Sequence, residues 1–167
     1  MRIAYIAPVH YLPMYGRISD YHMALAHLVL SNEAYAQHYR LLSLKGHHVI
    51  LDNSIIELGD SVSMDTLLSA ASFIGAKEIV LPDVLDDAEK TLWQAKEYYL
   101  YCQERKVPYK LIVVPQGSTM IEWADNYQAL ARIPGVTIGI PKRVGRFYED
   151  LFDGVDLFGG LGRAIVL

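Results

Sequence analysis

The chain has 167 residues, 52% of them hydrophobic and 20% charged, enough for one globular domain whose core folds without staples. A formal charge of −4 excludes a general pull on phosphate, so any nucleic-acid contact has to come from a local basic cluster. The single cysteine, Cys102, excludes an internal disulfide framework and a multi-cysteine zinc site, and it fits a reducing, cytoplasmic setting.

The opening run Ile3-Ala4-Tyr5-Ile6-Ala7, closed by Pro8, is too short for a signal-peptide core or a membrane span and predicts a first strand. Residues 11–45, rich in His and Tyr, predict one or two helices, one of them over 32–42. Three segments then repeat one pattern, an apolar run that stops at a polar residue and leads into an amphipathic stretch, which is how βα units of a parallel sheet read. Val49-Ile50-Leu51-Asp52 precedes a helix over 63–76. Glu78-Ile79-Val80-Leu81-Pro82-Asp83 precedes one over 87–106, where Asp86 and Glu89 have capping-box spacing. Residues 110–117 precede a helix over 119–133, and Thr119 with Glu122 repeats that spacing. Val136-Thr137-Ile138-Gly139-Ile140-Pro141 predicts a fifth strand and 147–152 a short helix.

No linker or low-complexity stretch interrupts the chain, so residues 1–167 read as one domain of about five βα units. Two folds fit that pattern. Length alone favours an open doubly wound sheet; a partial or shortened TIM-type (β/α) barrel is the other, since a full barrel takes about 250 residues.

In either fold ligands bind beyond the carboxyl ends of the strands, which singles out Asp52, Asp83, Gln116 and Gly139. Two carboxylates, an amide and a bare backbone can together hydrogen-bond a flat heterocycle that has both donor and acceptor edges. Each also has a plain structural reading. Asp52-Asn53-Ser54 and Asp83 suit turns, Gly117 suits a βα turn that needs an unusual backbone angle, and Gly139 suits close packing of strands.

The five histidines from His22 to His48 match no zinc spacing, and neither the dinucleotide glycine pattern nor a Walker loop follows any strand, so the reading needs no metal and no cofactor. Lys142, Arg143 and Arg146 form the one basic cluster, either a solvated loop or a contact for a nucleic-acid phosphate. Tyr98, Tyr99 and Tyr101 fit helix packing better than base stacking.

Taken in order, Leu51-Asp52-Asn53-Ser54, Leu81-Pro82-Asp83, Val114-Pro115-Gln116-Gly117 and Ile138-Gly139-Ile140-Pro141 resemble the tRNA-guanine transglycosylase superfamily, and most nearly its phage and bacterial branch of 7-deazaguanine DNA transglycosylase-like proteins. The resemblance spans residues 3–146. It implies a pentosyltransferase that exchanges guanine or a 7-deazaguanine in DNA or tRNA: an aspartate attacks the anomeric carbon, guanine leaves, and the incoming base displaces the enzyme from the sugar. It implies a catalytic, proton-handling role for Asp52 and a substrate-binding role for Ser54 beside it. Asp83 is implied to bind the purine's amidine-like edge, Gln116 and Gly117 its carbonyl side, and Gly139 to offer a backbone contact.

The sequence departs from the family pattern at Asn53, where serine is common, and at Ile55 and Ile56, where glycines follow. The family's zinc-binding cysteines are absent. Its nucleophilic aspartate lies on a later strand; Gly154-Val155-Asp156-Leu157-Phe158 resembles the approach to it, but about one strand too early, so Asp156 is the candidate and the C-terminal part of the barrel is expected to be missing. Two alternatives stand beside the enzyme: a non-catalytic purine-binding protein, and a small open-sheet protein that binds a phosphorylated metabolite at Lys142, Arg143 and Arg146. Unpaired strand edges in a five-unit fragment also predict a homo-oligomer or completion by another chain.

Overall fold

The computed structural model describes residues 4–140 and the strand Ala164–Val166. Strands β1 (Tyr21–Leu25), β2 (His48–Asp52), β3 (Glu78–Val80), β4 (Lys110–Val113), β5 (Thr137–Ile140) and β6 (Ala164–Val166) form one sheet. Every neighbouring pair is parallel, and the strands lie side by side in chain order without a reversal. The protein is therefore an α/β fold on an all-parallel sheet.

The sequence expectation is corrected at both edges of that sheet. The opening run contributes a single parallel bridge, Tyr5 to His22, among the described residues, and β1 is instead Tyr21–Leu25, inside the stretch expected to make one or two helices. β1 contains no β-branched residue and runs directly into an apolar helix, which hides it from pattern reading. Four of its five residues are buried, so packing on both faces makes it a strand. β6 adds a sixth strand to the five expected.

The helices α1 (Leu12–Ile18), α2 (Ala26–Ser31), α3 (Glu33–Leu44), α4 (Ile55–Leu58), α5 (Met64–Ile74), α6 (Ala88–Glu104) and α7 (Met120–Leu130) alternate with the strands. Caps start the longer ones: Asn32 accepts from the Tyr35 N–H for α3, Ser63 from Thr66 for α5, and Thr119 with Glu122 forms a reciprocal capping box for α7. The cap of α6 is Asp87, which accepts from the Lys90 N–H, and not Asp86, whose φ of 59° puts it in the left-handed region. The helix expected over 147–152 lies outside the described residues.

The two sheet faces differ. Ala24, Val49, Leu51, Ile79, Leu111, Val113 and Ile138 share one core with residues of α2, α3, α5, α6 and α7. The opposite face carries Met23, Ile50, Val80, Ile112 and Val114, all buried, packed against Ala4 and Tyr21 with no helix residue in the cluster. No helix among the described residues is long and apolar enough to cross a membrane.

Candidate functional site

Parallel strands present their last residues at one rim, and the sequence places a polar group at the end of β2, past β3 and past β4. Asp52 ends β2, and the chain then turns sharply because Ser54 holds a φ of 63°. A non-glycine residue in that region stores strain, which hydrogen bonds must offset. The Ser54 N–H donates to Asp52 Oδ2 at 2.8 Å, and Ser54 Oγ accepts from the His27 N–H at 3.1 Å. Ser54 is fully buried and orients the carboxylate of Asp52.

Asn53 ties this turn to the next strand. Its Nδ2 donates to the Leu81 carbonyl at 2.8 Å and to Asp83 Oδ1 at 2.6 Å, while its Oδ1 accepts from the Ile55 N–H at 3.0 Å. The other oxygen of Asp83, Oδ2, accepts from Gln116 Nε2 past the end of β4. Ser61 completes the clamp, accepting from the Asp83 N–H at 3.2 Å and donating to its carbonyl at 2.9 Å.

Asn126 in α7 accepts from the Gln116 N–H at 3.0 Å and donates to the Ala88 carbonyl at 2.6 Å, pinning the end of β4 to the start of α6. Gly117 is required by close approach: an added Cβ would lie 2.4 Å from the Trp123 nitrogen at the start of α7. The positive backbone angle considered for it from sequence is not what the position demands, since positive φ among the described glycines falls at 46, 59, 75 and 135.

The structure thus brings Asp52, Ser54, Asp83 and Gln116 into one linked network, with Gly117 at its edge. Gly139 lies in β5, paired with Ile165 of β6. Asp156, Lys142, Arg143 and Arg146 lie outside the described residues. Sequence reasoning missed Asn53 as the bridging group, together with Ser61 and Asn126. Nothing in their local spacing announces bonds to residues 22–38 positions away.

Burial pushes both carboxyls up to about 6. At Asp52 the Ser54 N–H opposes that rise, while the charges of Glu57 and Asp83 add to it. At Asp83 the Asn53 and Gln116 amides oppose it. Asp83 is 3% exposed and Asn53 1%; of the two carboxylates only Asp52 reaches solvent appreciably. Near neutrality Asp52 is mostly ionised yet within reach of its acid form, the state in which one group can both take and return a proton.

No protein-family model matches the chain, and no curated protein matches it.

Elsewhere, Cys102 is buried in α6 and its thiol is pushed up to about 11, which leaves it inert. Among the described residues no group of three or more His, Cys, Asp or Glu is arranged to hold a metal ion.

Proposed function

We propose that this chain carries the base-binding part of a guanine or 7-deazaguanine base-exchange transglycosylase that acts on DNA or tRNA, built on a partial (β/α) barrel. The strand order supports the barrel, because a doubly wound sheet reverses its order and this one does not. The buried, helix-free inner face supports it too, since strands that curl around one another fill that face with their own side chains.

The observation that carries the functional reading is the convergence of Asp52, Asp83 and Gln116 at the carboxyl rim, where Asn53 and Gln116 bond Asp83 and the Ser54 N–H, next in the chain, bonds Asp52. Both side-chain donors on Asp83, Asn53 and Gln116, are primary amides. A purine can replace the Gln116 amide with its own N–H donors, and the freed amide then donates to the purine's carbonyl oxygen. Asp52, the solvent-reaching carboxylate, faces the reacting side of the base. When a nucleophilic carboxylate attacks the anomeric carbon, the glycosidic bond breaks, its electron pair goes to the departing purine nitrogen, and Asp52 manages the proton that the base gains and the incoming base gives up. Asp156 is the candidate nucleophile.

The test is incorporation of labelled guanine or 7-deazaguanine into DNA and, separately, tRNA. Incorporation that Asp52→Ala and Asp83→Ala both abolish supports base exchange and identifies the polymer. Base binding without incorporation favours a non-catalytic purine-binding protein. Absence of both sinks the reading.

A further inference from the structure

His27, in the helix that follows β1, carries a buried polar atom with no role in the network described above. His27 stands two residues beyond Leu25, the β1 residue that pairs with Asp52 across the sheet. Its backbone N–H donates to Ser54 Oγ at 3.1 Å, and the Ser54 N–H in turn donates to Asp52 Oδ2 at 2.8 Å. Its ring Nδ1 is buried and has no hydrogen-bond partner among the described residues. The polar side chains of Asn53, Ser54, Asp83 and Gln116 in the same network all have theirs. An imidazole nitrogen removed from water and left unpaired is unfavourable until something supplies a partner, and at a ligand site that partner is the ligand.

The order of strands along the rim says which part of a ligand arrives there. Gln116 follows β4, Asp83 follows β3, Asp52 ends β2, and His27 follows β1. With the base edge on Gln116 and Asp83 and the reacting atoms at Asp52, the next position along the rim belongs to the sugar. We propose that His27 is a further substrate-contacting residue whose Nδ1 hydrogen-bonds a sugar hydroxyl of the target nucleoside. This rests on the base-exchange reading and adds a subsite for the pentose.

The substitution that tests it is mild for the fold, because His27→Ala keeps the backbone N–H that holds Ser54. Affinities of the wild type and of His27→Ala are measured for free 7-deazaguanine and for guanosine and deoxyguanosine. The expected result is nucleoside binding about tenfold weaker in the variant with free-base binding unchanged, partly rescued in His27→Asn, which keeps a hydrogen-bonding atom near the Nδ1 position. A merely structural role would weaken base and nucleoside alike, and that outcome overturns the proposal. So does equal nucleoside affinity in wild type and variant, or a wild type that binds the base but no nucleoside. A wild type that binds neither removes the base-exchange reading, and the proposal falls with it.

Discussion

Two clusters of buried titratable side chains lie on this sheet, and the same desolvation acts on them with opposite results. At the carboxyl rim burial raises Asp52 and Asp83 to about 6. In the layer between β1 and α3 burial lowers His22 and His38, helped by His47 beside His22 and by Lys45 beside His38, while a backbone hydrogen bond at Ser19 and then Asp20 oppose it at His22. His22 and His47 share one hydrogen bond at 3.0 Å and stack. In both places the low-dielectric surroundings disfavour charge. At neutral pH His22 and His38 comply as neutral rings, His22 in the core and His38 half-buried, whereas the aspartates remain largely ionised against their environment. That difference separates a packed cluster from a site: stability is given up only at the rim, and the group there that reaches solvent is Asp52.

The rim depends most on Asn53. Asn53→Ala removes three hydrogen bonds and leaves the Leu81 carbonyl and an oxygen of Asp83 without them, so urea unfolding is expected to show a loss of about 3 kcal/mol. His22→Leu, which replaces a neutral buried ring with an aliphatic group, is expected to cost about 1 kcal/mol. Gly117→Ala falls between them at about 2 kcal/mol, because helix α7 must move to admit the methyl group.

Asp52→Asn removes the buried charge at the rim and keeps its shape. The amide oxygen can still accept from Ser54 while the desolvated charge is gone, so stability at neutral pH is expected to rise by about 1 kcal/mol, discounted for the partial exposure of the side chain, while the proposed base exchange is expected to be lost. That gain should vanish below pH about 4, where wild-type Asp52 is protonated in both folded and unfolded chains.

Acid separates the clusters by sign. Folded-state pKa values above the unfolded one mean that Asp52 and Asp83 stabilise fully below pH 3.8 and lose that contribution as pH rises through about 6. His22 and His38, lowered from 6.5, stabilise above that value and lose their contribution as pH falls through their folded pKa. Urea midpoints measured across this range should therefore show a steeper acid gain in His22→Leu than in the wild type.

The smallest effect belongs to the amino ends of the strands, where His48 and Glu78 pair at 3.0 Å. Glu78→Gln keeps an acceptor for His48 and is expected to cost less than about 1 kcal/mol, with base binding untouched.

The strand ends were the most legible part of the sequence, because an apolar run that stops at Asp52, Asp83 or Gln116 marks the rim directly. β1 was not legible, since Tyr-His-Met-Ala-Leu has neither alternation nor β-branching and takes its conformation from burial on both faces. The Asp86 cap was misplaced by one residue because two adjacent aspartates offer equal capping chemistry, and the left-handed turn at the first leaves the second to cap the helix. Asn53 reads as a turn residue and is one, through its bond to Ile55, but its bonds to Leu81 and Asp83 depend on the neighbouring strand. His27 and Ser54 likewise meet only because β1 and β2 are adjacent.

The claim that the carboxylate rim is a purine site is tested most directly by calorimetric titration of the protein with 7-deazaguanine at pH about 7.5 and about 5, with Asp83→Ala alongside. Binding is expected at the higher pH, weakening as pH falls through about 6 because ionised carboxylates accept the base's N–H groups, with none by the variant. Unchanged affinity in Asp83→Ala, or no heat from the wild type at either pH, would contradict it.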